Sequence, residues 1–274
     1  MDATVTFAVR FRGSFRISFI LLALSLAWAT CGWGAEGSPL YFVQITDSHW
    51  GDKDHIERTK KIVEQINHLP LEIRCVIHTG DITMNRVEDE ATVSEGIKVL
   101  KELKVPIHFV PGNHDILKDK HETTRLAYEK RFGPLLEVHE YGGVAFILVY
   151  TEPLAQSFSV KGYTPLIQLR KVIKLNKGKP MIVFHHTPSV ENFYKNRMHQ
   201  GWDDHMRAEW VSLLNAYHVK AVIAGHFHRD EHHWLGDVPL YVCAPVAGYW
   251  GRQAAFRIYE YQDGRVSYRT QYVE

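Results

Sequence analysis

The sequence predicts an α/β fold of stacked sheets flanked by helices. Two observations carry that expectation. From residue 38 to about residue 230, short β-rich apolar runs alternate with stretches whose apolar residues recur every three or four positions. Beyond residue 230 the chain breaks into strand-like pieces at Gly236-Asp237, Pro239 and Asp263-Gly264, the pattern of antiparallel hairpins.

In order, "LYFVQIT" (40–46) reads as a strand, and Ile56, Ile62, Val63, Ile66 and Leu69 then share one helical face. "RCVIHT" (74–79) is a second strand. "DEATVSEGIKVLKEL" is a helix with Val93, Ile97, Leu100 and Leu103 on one side. "PIHFV" (106–110) is a third strand, and "ETTRLAYEKRFG" is a helix stopped by Gly133 and Pro134. "GVAFILVY" (143–150) and "PMIVFH" (180–185) are further strands. The helix "WDDHMRAEWVSLLNAY" leads into the strand "KAVIAG". No repeat, low-complexity tract or linker divides this region, so residues 36–274 are expected to form one domain.

The totals exclude several classes. Lys and Arg number 32 against 31 Asp and Glu, a net charge of +1, which gives no bulk attraction to nucleic acid or an anionic membrane surface. Seventeen histidines make any single histidine weak evidence, so only clusters count. Cys75 and Cys243 sit in apolar runs and read as small buried residues; no CxxC pattern or disulfide scaffold is present.

The first 35 residues differ from the rest. Arg10, Arg12 and Arg16 precede an apolar core, "ISFILLALSLAWA" (17–29), and small residues follow at Ala27, Ala29, Gly34 and Ala35. This is the layout of a secretory signal, so the domain is expected outside the cytoplasm. An uncleaved membrane anchor is the alternative, although a span needs about 20 apolar residues. Lipid attachment at Cys31 is disfavoured by Trp28 and Thr30.

Function is written at the strand ends. Five of the six strand-like runs are followed by Asp47-Ser48-His49, Gly80-Asp81, Gly112-Asn113-His114-Asp115, His185-His186 and Gly225-His226-Phe227-His228. The C-terminal edge of an α/β sheet is where ligands bind. Carboxylate, imidazole and amide oxygen suit Zn, Mn or Fe(II) better than Ca. The lack of thiolates argues against a structural zinc site. In an extended chain residues i and i+2 project to one side, so D-x-H and H-x-H can each face a metal. Gly80, Gly112 and Gly225 allow sharp turns and close backbone approach. Asp47, His49, Asp81, Asn113, His186 or His185, His226 and His228 make seven ligands, too many for one tetrahedral ion. They suit two metals roughly 3.5–4 Å apart, which clamp a phosphate and generate hydroxide. Alone, D-x-H is ordinary surface chemistry and G-D an ordinary turn; the weight lies in five such ends in succession.

The order D-x-H, G-D, G-N-H-D, H-x-P, G-H-x-H resembles the calcineurin-like metallophosphoesterase superfamily over most of residues 40–230. The "HHTP" stretch (185–188) and the compact size are most similar to its bacterial cyclic-nucleotide phosphodiesterase branch. The resemblance implies a four-layer α/β/β/α sandwich of two mixed sheets. It implies two divalent or transition ions (Fe, Mn or Zn). Asp47, His49 and His228 would hold one, Asn113, a histidine of the fourth motif and His226 the other, and Asp81 both. H-x-P favours His186 over His185. His114 would be a non-ligand catalytic histidine that contacts the scissile phosphate and can protonate the leaving group, with Asp115 orienting it. A small phosphodiester or phosphomonoester, such as a cyclic nucleotide, is the expected partner. Tyr194, Trp202, Tyr249 and Trp250, with Lys195, Arg197 and Arg252, are candidate substrate walls. A nuclease and a non-catalytic binding platform are the rival classes. The near-neutral charge disfavours the first, and the complete ligand set disfavours the second.

Overall fold

A computed structural model of the protein describes residues 38–191 and 201–273. The export or anchor segment 1–35 lies outside the described residues, as do Tyr194, Lys195 and Arg197. Among the described residues, no helix is long and apolar enough to cross a membrane.

The chain runs β1 (Leu40–Ile45), α1 (His55–Asn67), β2 (Ile73–His78), α2 (Glu90–Leu100), β3 (Ile107–Phe109), α3 (His121–Arg131), β4 (Leu136–Tyr141), β5 (Val144–Val149), α4 (Glu152–Ala155), α5 (Pro165–Leu175), β6 (Met181–Phe184), α6 (Asp204–Ala216), β7 (Ala221–Ala224), β8 (Glu231–Leu235), β9 (Val238–Val242), β10 (Ala254–Gln262) and β11 (Arg265–Val273). Two mixed sheets result, one of five strands in the order β11-β10-β1-β2-β3 and one of six in the order β4-β5-β6-β7-β9-β8.

The period of two along each strand builds four layers. Phe42, Ile77, Phe146, Ile182, Phe184, Ile223 and Tyr259 point between the sheets and form one core. Their neighbours Val43, Ile45 and Val76 turn outward onto Ile62 and Val63 of α1 and Val93 of α2. Ile147, Val183 and Val222 turn the other way, onto Leu169 and Ile173 of α5 and Trp210 and Leu214 of α6. Both faces of the central strands are therefore buried, which is why they appear as unbroken apolar runs. Phe42 locks the middle, stacked on Tyr259 at 5.0 Å and edge-on to Phe146 at 4.8 Å. The α/β/β/α sandwich expected from the sequence is the observed fold. Cys75 and Cys243 are buried free thiols.

Three elements carry no clear sequence signal: β4, the four-residue α4 and α5. β4 pairs antiparallel with β5 across Gly142-Gly143, both at positive φ. Leu136, Val138 and Glu140 on one side alternate with Glu137, His139 and Tyr141 on the other, so both sides are half-polar, as an edge strand allows. α5 carries Leu166, Leu169 and Ile173 toward the core after Thr164-Pro165, and it makes the crossover between parallel β5 and β6. Pro239, read as a breaker, lies inside β9 instead. Pairing of β9 with β7 begins only at Leu240 opposite Val222, so the missing N–H falls just before that ladder.

Candidate metal centre

The parallel pairing of β1 and β2 does not stop where the strands end. Asp47 N–H donates to Gly80 O at 2.9 Å, His49 N–H to Asp81 O at 3.0 Å and Trp50 N–H to Ile82 O at 2.9 Å. The two turns thus run side by side and carry Asp47, His49 and Asp81 to one point. The β7 turn joins them, with His226 N–H donating to Asp47 Oδ2 at 2.9 Å.

Convergence arises differently from the extended i, i+2 geometry expected from D-x-H and H-x-H. Asp47, His49, Asp81, His226 and His228 all have φ between 47° and 68°, the left-handed region. Side chains there are uncommon outside glycine, and such strain gathers at functional sites. The glycines make room for it. A Cβ on Gly112 would overlap Asp81 Oδ1 and its backbone nitrogen, and one on Gly225 would overlap Thr46 Oγ1 and Asp47 Oδ2.

Two donor groups form. Asp47, His49 and His228 bring ligand atoms within 4.8 Å of one another, and so do Asp81, His186 and His226. In the first, the Nε2 atoms of His49 and His228 are 3.1 Å apart, and Asp47 Oδ1 is 3.2 Å from His228 Nε2 and 3.8 Å from His49 Nε2. Ligands at 2.0–2.1 Å around a tetrahedral ion lie roughly 3.3 Å from each other, so the spacing fits a first-row metal. Asp81 Oδ2 sits between the groups, 3.1 Å from His186 Nε2 and 3.8 Å from His49 Nε2. Asn113 Oδ1 is buried without a hydrogen-bond partner among the described residues, as an amide oxygen reserved for a cation would be.

Electrostatics agree with that fit. Asp47 and Asp81 are buried, and their only ion-pair partners among the described residues are histidines. Burial works to raise both carboxyls, but His228 outweighs it at Asp47 and His186 at Asp81, so both lie below the usual range. Burial opposes charge on His186 too, yet Asp81 prevails and lifts it to about 10. The pocket holds buried negative charge that calls for cations.

His185 and His186 are separated by their partners. His186 Nδ1–H donates to Thr79 O at 2.8 Å, which fixes the tautomer and leaves Nε2 facing Asp81. His185 turns away into the core beside Trp202 and Trp210, with Thr151 Oγ1 at 3.3 Å from its Nδ1. Trp202, a candidate substrate wall, is itself buried and donates Nε1–H to Thr187 O, so it is a core residue.

The role expected for Asp115 is not what the structure shows. Its carboxylate accepts from Ile82 N–H, Thr83 N–H, Thr83 Oγ1–H and Gly112 N–H, clamping the β2 and β3 turns together. Fully engaged and buried, it is raised to about 6 by burial and by the charge of Asp81. The partner of His114 is Asn85, whose Oδ1 lies 2.8 Å from its Nδ1. Nothing in the motif order points to Asn85; its backbone is left-handed, φ 57°, and its N–H donates to His114 O at 3.2 Å. His114 N–H donates to Asp81 Oδ1, and one ring nitrogen lies within 4.8 Å of the His49 and Asp81 ligand atoms.

Residues 40–230 match the family model described as calcineurin-like phosphoesterase. The chain belongs to the calcineurin-like phosphoesterase family. It is 26% identical over 208 residues to a probable cyclic nucleotide phosphodiesterase of Colwellia psychrerythraea, covering 71% of this chain and 73% of the relative. It is 27% identical over 201 residues to a probable glycerophosphodiester phosphodiesterase GpdQ of Arcobacter nitrofigilis, covering 68% and 71%. The crystal structure of a dimetal phosphatase from Danio rerio superimposes with TM-score 0.57 and 15% identity, covering 86% of this chain and 99% of that one. This calcineurin-like phosphoesterase is accordingly a phosphoester hydrolase with a metal-ligand pocket at the strand ends.

Several buried histidines give the phosphoesterase a pH-dependent stability. Burial lowers His78 and His185 to about 3 and His49 to about 4. In the unfolded chain each titrates near 6.5. Between these values the unfolded state binds more protons, so stability falls as pH falls below 6.5. Each costs about 2 kcal/mol at pH 5 relative to pH 7. The raised Asp115 and His186 act in the opposite direction, by about 1 kcal/mol each, and are outweighed. The melting temperature of metal-free protein should therefore drop by several degrees from pH 7 to pH 5; an unchanged midpoint would contradict the burial of these rings.

Proposed function

We propose that the protein is a dinuclear metal-dependent phosphoesterase acting on a small phosphodiester or phosphomonoester. The observation that carries this reading is Asp81 Oδ2 lying within 3.8 Å of ligand nitrogens of both donor groups, in a pocket of buried carboxylates balanced only by imidazoles among the described residues. Asp47, His49 and His228 would hold one ion, Asn113, His186 and His226 the other, and Asp81 would contribute to both. Such ions supply a hydroxide nucleophile at neutral pH and neutralise phosphoryl charge. Thr79 O keeps His186 in its ligating tautomer, and Thr46 Oγ1–H holds Asp47 Oδ2 at 2.6 Å. His114, braced by Asn85, faces the same point. There it donates a hydrogen bond to the phosphate and delivers a proton to the departing oxygen.

The names of the relatives support both cyclic nucleotides and glycerophosphodiesters as substrates. The test is a phosphoester panel with chromogenic and natural diesters and monoesters, run after chelation and after addition of Mn, Fe or Zn. Hydrolysis that disappears with chelator and returns with metal is expected. Metal-independent turnover, or none on any ester, would overturn the reading.

A further inference from the structure

No acid occurs between Glu152 and Glu191, whereas six cations do: Lys161, Arg170, Lys171, Lys174, Lys177 and Lys179. The whole-chain charge of +1 conceals this local excess, because the balancing acids lie elsewhere in the sequence. Lys179 pairs with Glu140 at 2.6 Å; none of the other five is in an ion pair among the described residues. Three of the six are on α5. That helix turns Leu166, Leu169 and Ile173 to the core. Ile167, Arg170, Lys171, Lys174 and Leu175 recur at i, i+3, i+4, i+7 and i+8, which gathers them on one face. All five are exposed, so this face looks outward.

Ile167 and Leu175 are 67% and 76% exposed, the highest values of any large apolar side chain among the described residues. A single exposed aliphatic residue is ordinary. Two on one helix face, with cations between them and no acid, make an apolar patch of the kind that marks a contact surface. The helix also borders a cleft of about 430 Å³, lined by Leu136, Val172 and Leu175 together with Lys161 and Lys171. The one acid in that lining, Glu129, is held by Arg125 at 2.5 Å. Beyond the helix, Lys177, Lys179 and Lys220 line a second cleft and carry the positive surface onward.

We propose that this face of α5 docks on an anionic lipid bilayer. Ile167 and Leu175 enter the boundary between headgroups and acyl chains, while Arg170, Lys171 and Lys174 stay with the lipid phosphates at the ends of their long stems. Aliphatic side chains set among unpaired cations match a surface that is anionic above and apolar beneath. Duplex nucleic acid would engage the cations but leave both aliphatic side chains in water, because its contacts go to phosphates and base edges. None of these residues belongs to the metal pocket, so the proposal stands apart from the reaction carried out there.

The test is co-sedimentation of the full chain with vesicles of phosphatidylcholine alone and of phosphatidylcholine mixed with phosphatidylserine. Two double variants are compared with wild type, Lys171→Gln/Lys174→Gln and Ile167→Gln/Leu175→Gln. All four positions are exposed and glutamine is a good helix former, so both variants should melt close to wild type. Segment 1–35 is common to all three proteins, so its contribution cancels in the comparison. Loss of each cation should weaken binding to the anionic vesicles about fivefold, roughly 25-fold for the pair, with little change on phosphatidylcholine alone. Loss of both aliphatic side chains should weaken it by about tenfold or more. Added salt should weaken wild-type binding more than that of Lys171→Gln/Lys174→Gln. Wild type that binds both kinds of vesicle equally, or variants that bind anionic vesicles as wild type does, would overturn the proposal. Binding to a duplex oligonucleotide or an acidic peptide without binding to vesicles would overturn it in favour of that partner.

Discussion

Asp81→Ala is expected to lose both metals together and almost all hydrolytic activity. Its Oδ2 is within 3.8 Å of His49 Nε2 and 3.1 Å of His186 Nε2, so each donor group loses its shared charged ligand. Removing a hydrogen-bond partner of a ligand weakens metal binding by roughly 10–100-fold; loss of a bridging carboxylate should exceed that at both positions. Asp81 also accepts the His114 N–H through Oδ1, which could move the turn independently of metal. Asp81→Asn separates the two, because an amide oxygen can still accept that bond while the charge is gone. Both variants should lack metal by elemental analysis. Asn113→Ala, which removes a neutral ligand from one group, should weaken one ion more than the other. An Asp81→Ala protein that keeps two ions would rule out the bridge.

His114→Ala should leave metal content near normal and lower the rate by about 10²–10⁴, the range for losing a general acid or base. The defect should depend on the leaving group. With p-nitrophenolate, which departs without a proton, it should shrink; with an alkoxide-like group it should be full. Comparing kcat/KM for both ester kinds in wild type and variant reads this directly. Equal losses would reduce His114 to a phosphate contact. Loss of metal would make it a ligand, which the proximity of its ring nitrogen to His49 and Asp81 makes a pointed question. Asn85→Ala should give a smaller defect of the same leaving-group dependence, because Asn85 only orients the ring through its 2.8 Å contact.

The architecture was legible because its central strands are buried on both faces and so appear as apolar runs ending abruptly at Asp, Asn or His. β4 and α5 escaped for opposite reasons. The first is an edge strand with charged residues in its alternation, and the second follows an inconspicuous Thr-Pro start and blurs its apolar face with the exposed Ile167 and Leu175. The motif residues came together in space as their order suggested, but the way they do so was not in the spacing. The left-handed backbone at Asp47, His49, Asp81, His226 and His228 is set by neighbouring turns and by Gly112 and Gly225, distant in sequence. Partners of this kind also decide between adjacent histidines. Thr79 O turns His186 inward, and Trp202 and Trp210 receive His185. They also move Asp115 from a histidine-orienting role to a clamp on backbone amides, leaving Asn85 to hold His114. Such contacts depend on loops that approach only after folding.

In the proposed reaction two ions, bridged by Asp81, would act together. The most direct measurement is activity during stepwise addition of Mn²⁺ to chelator-treated protein, with bound metal counted at each step. Activity should stay near background while the tighter position fills, rise as the second equivalent binds and level off at two ions per chain; full activity at one ion per chain, or without any, would contradict the account.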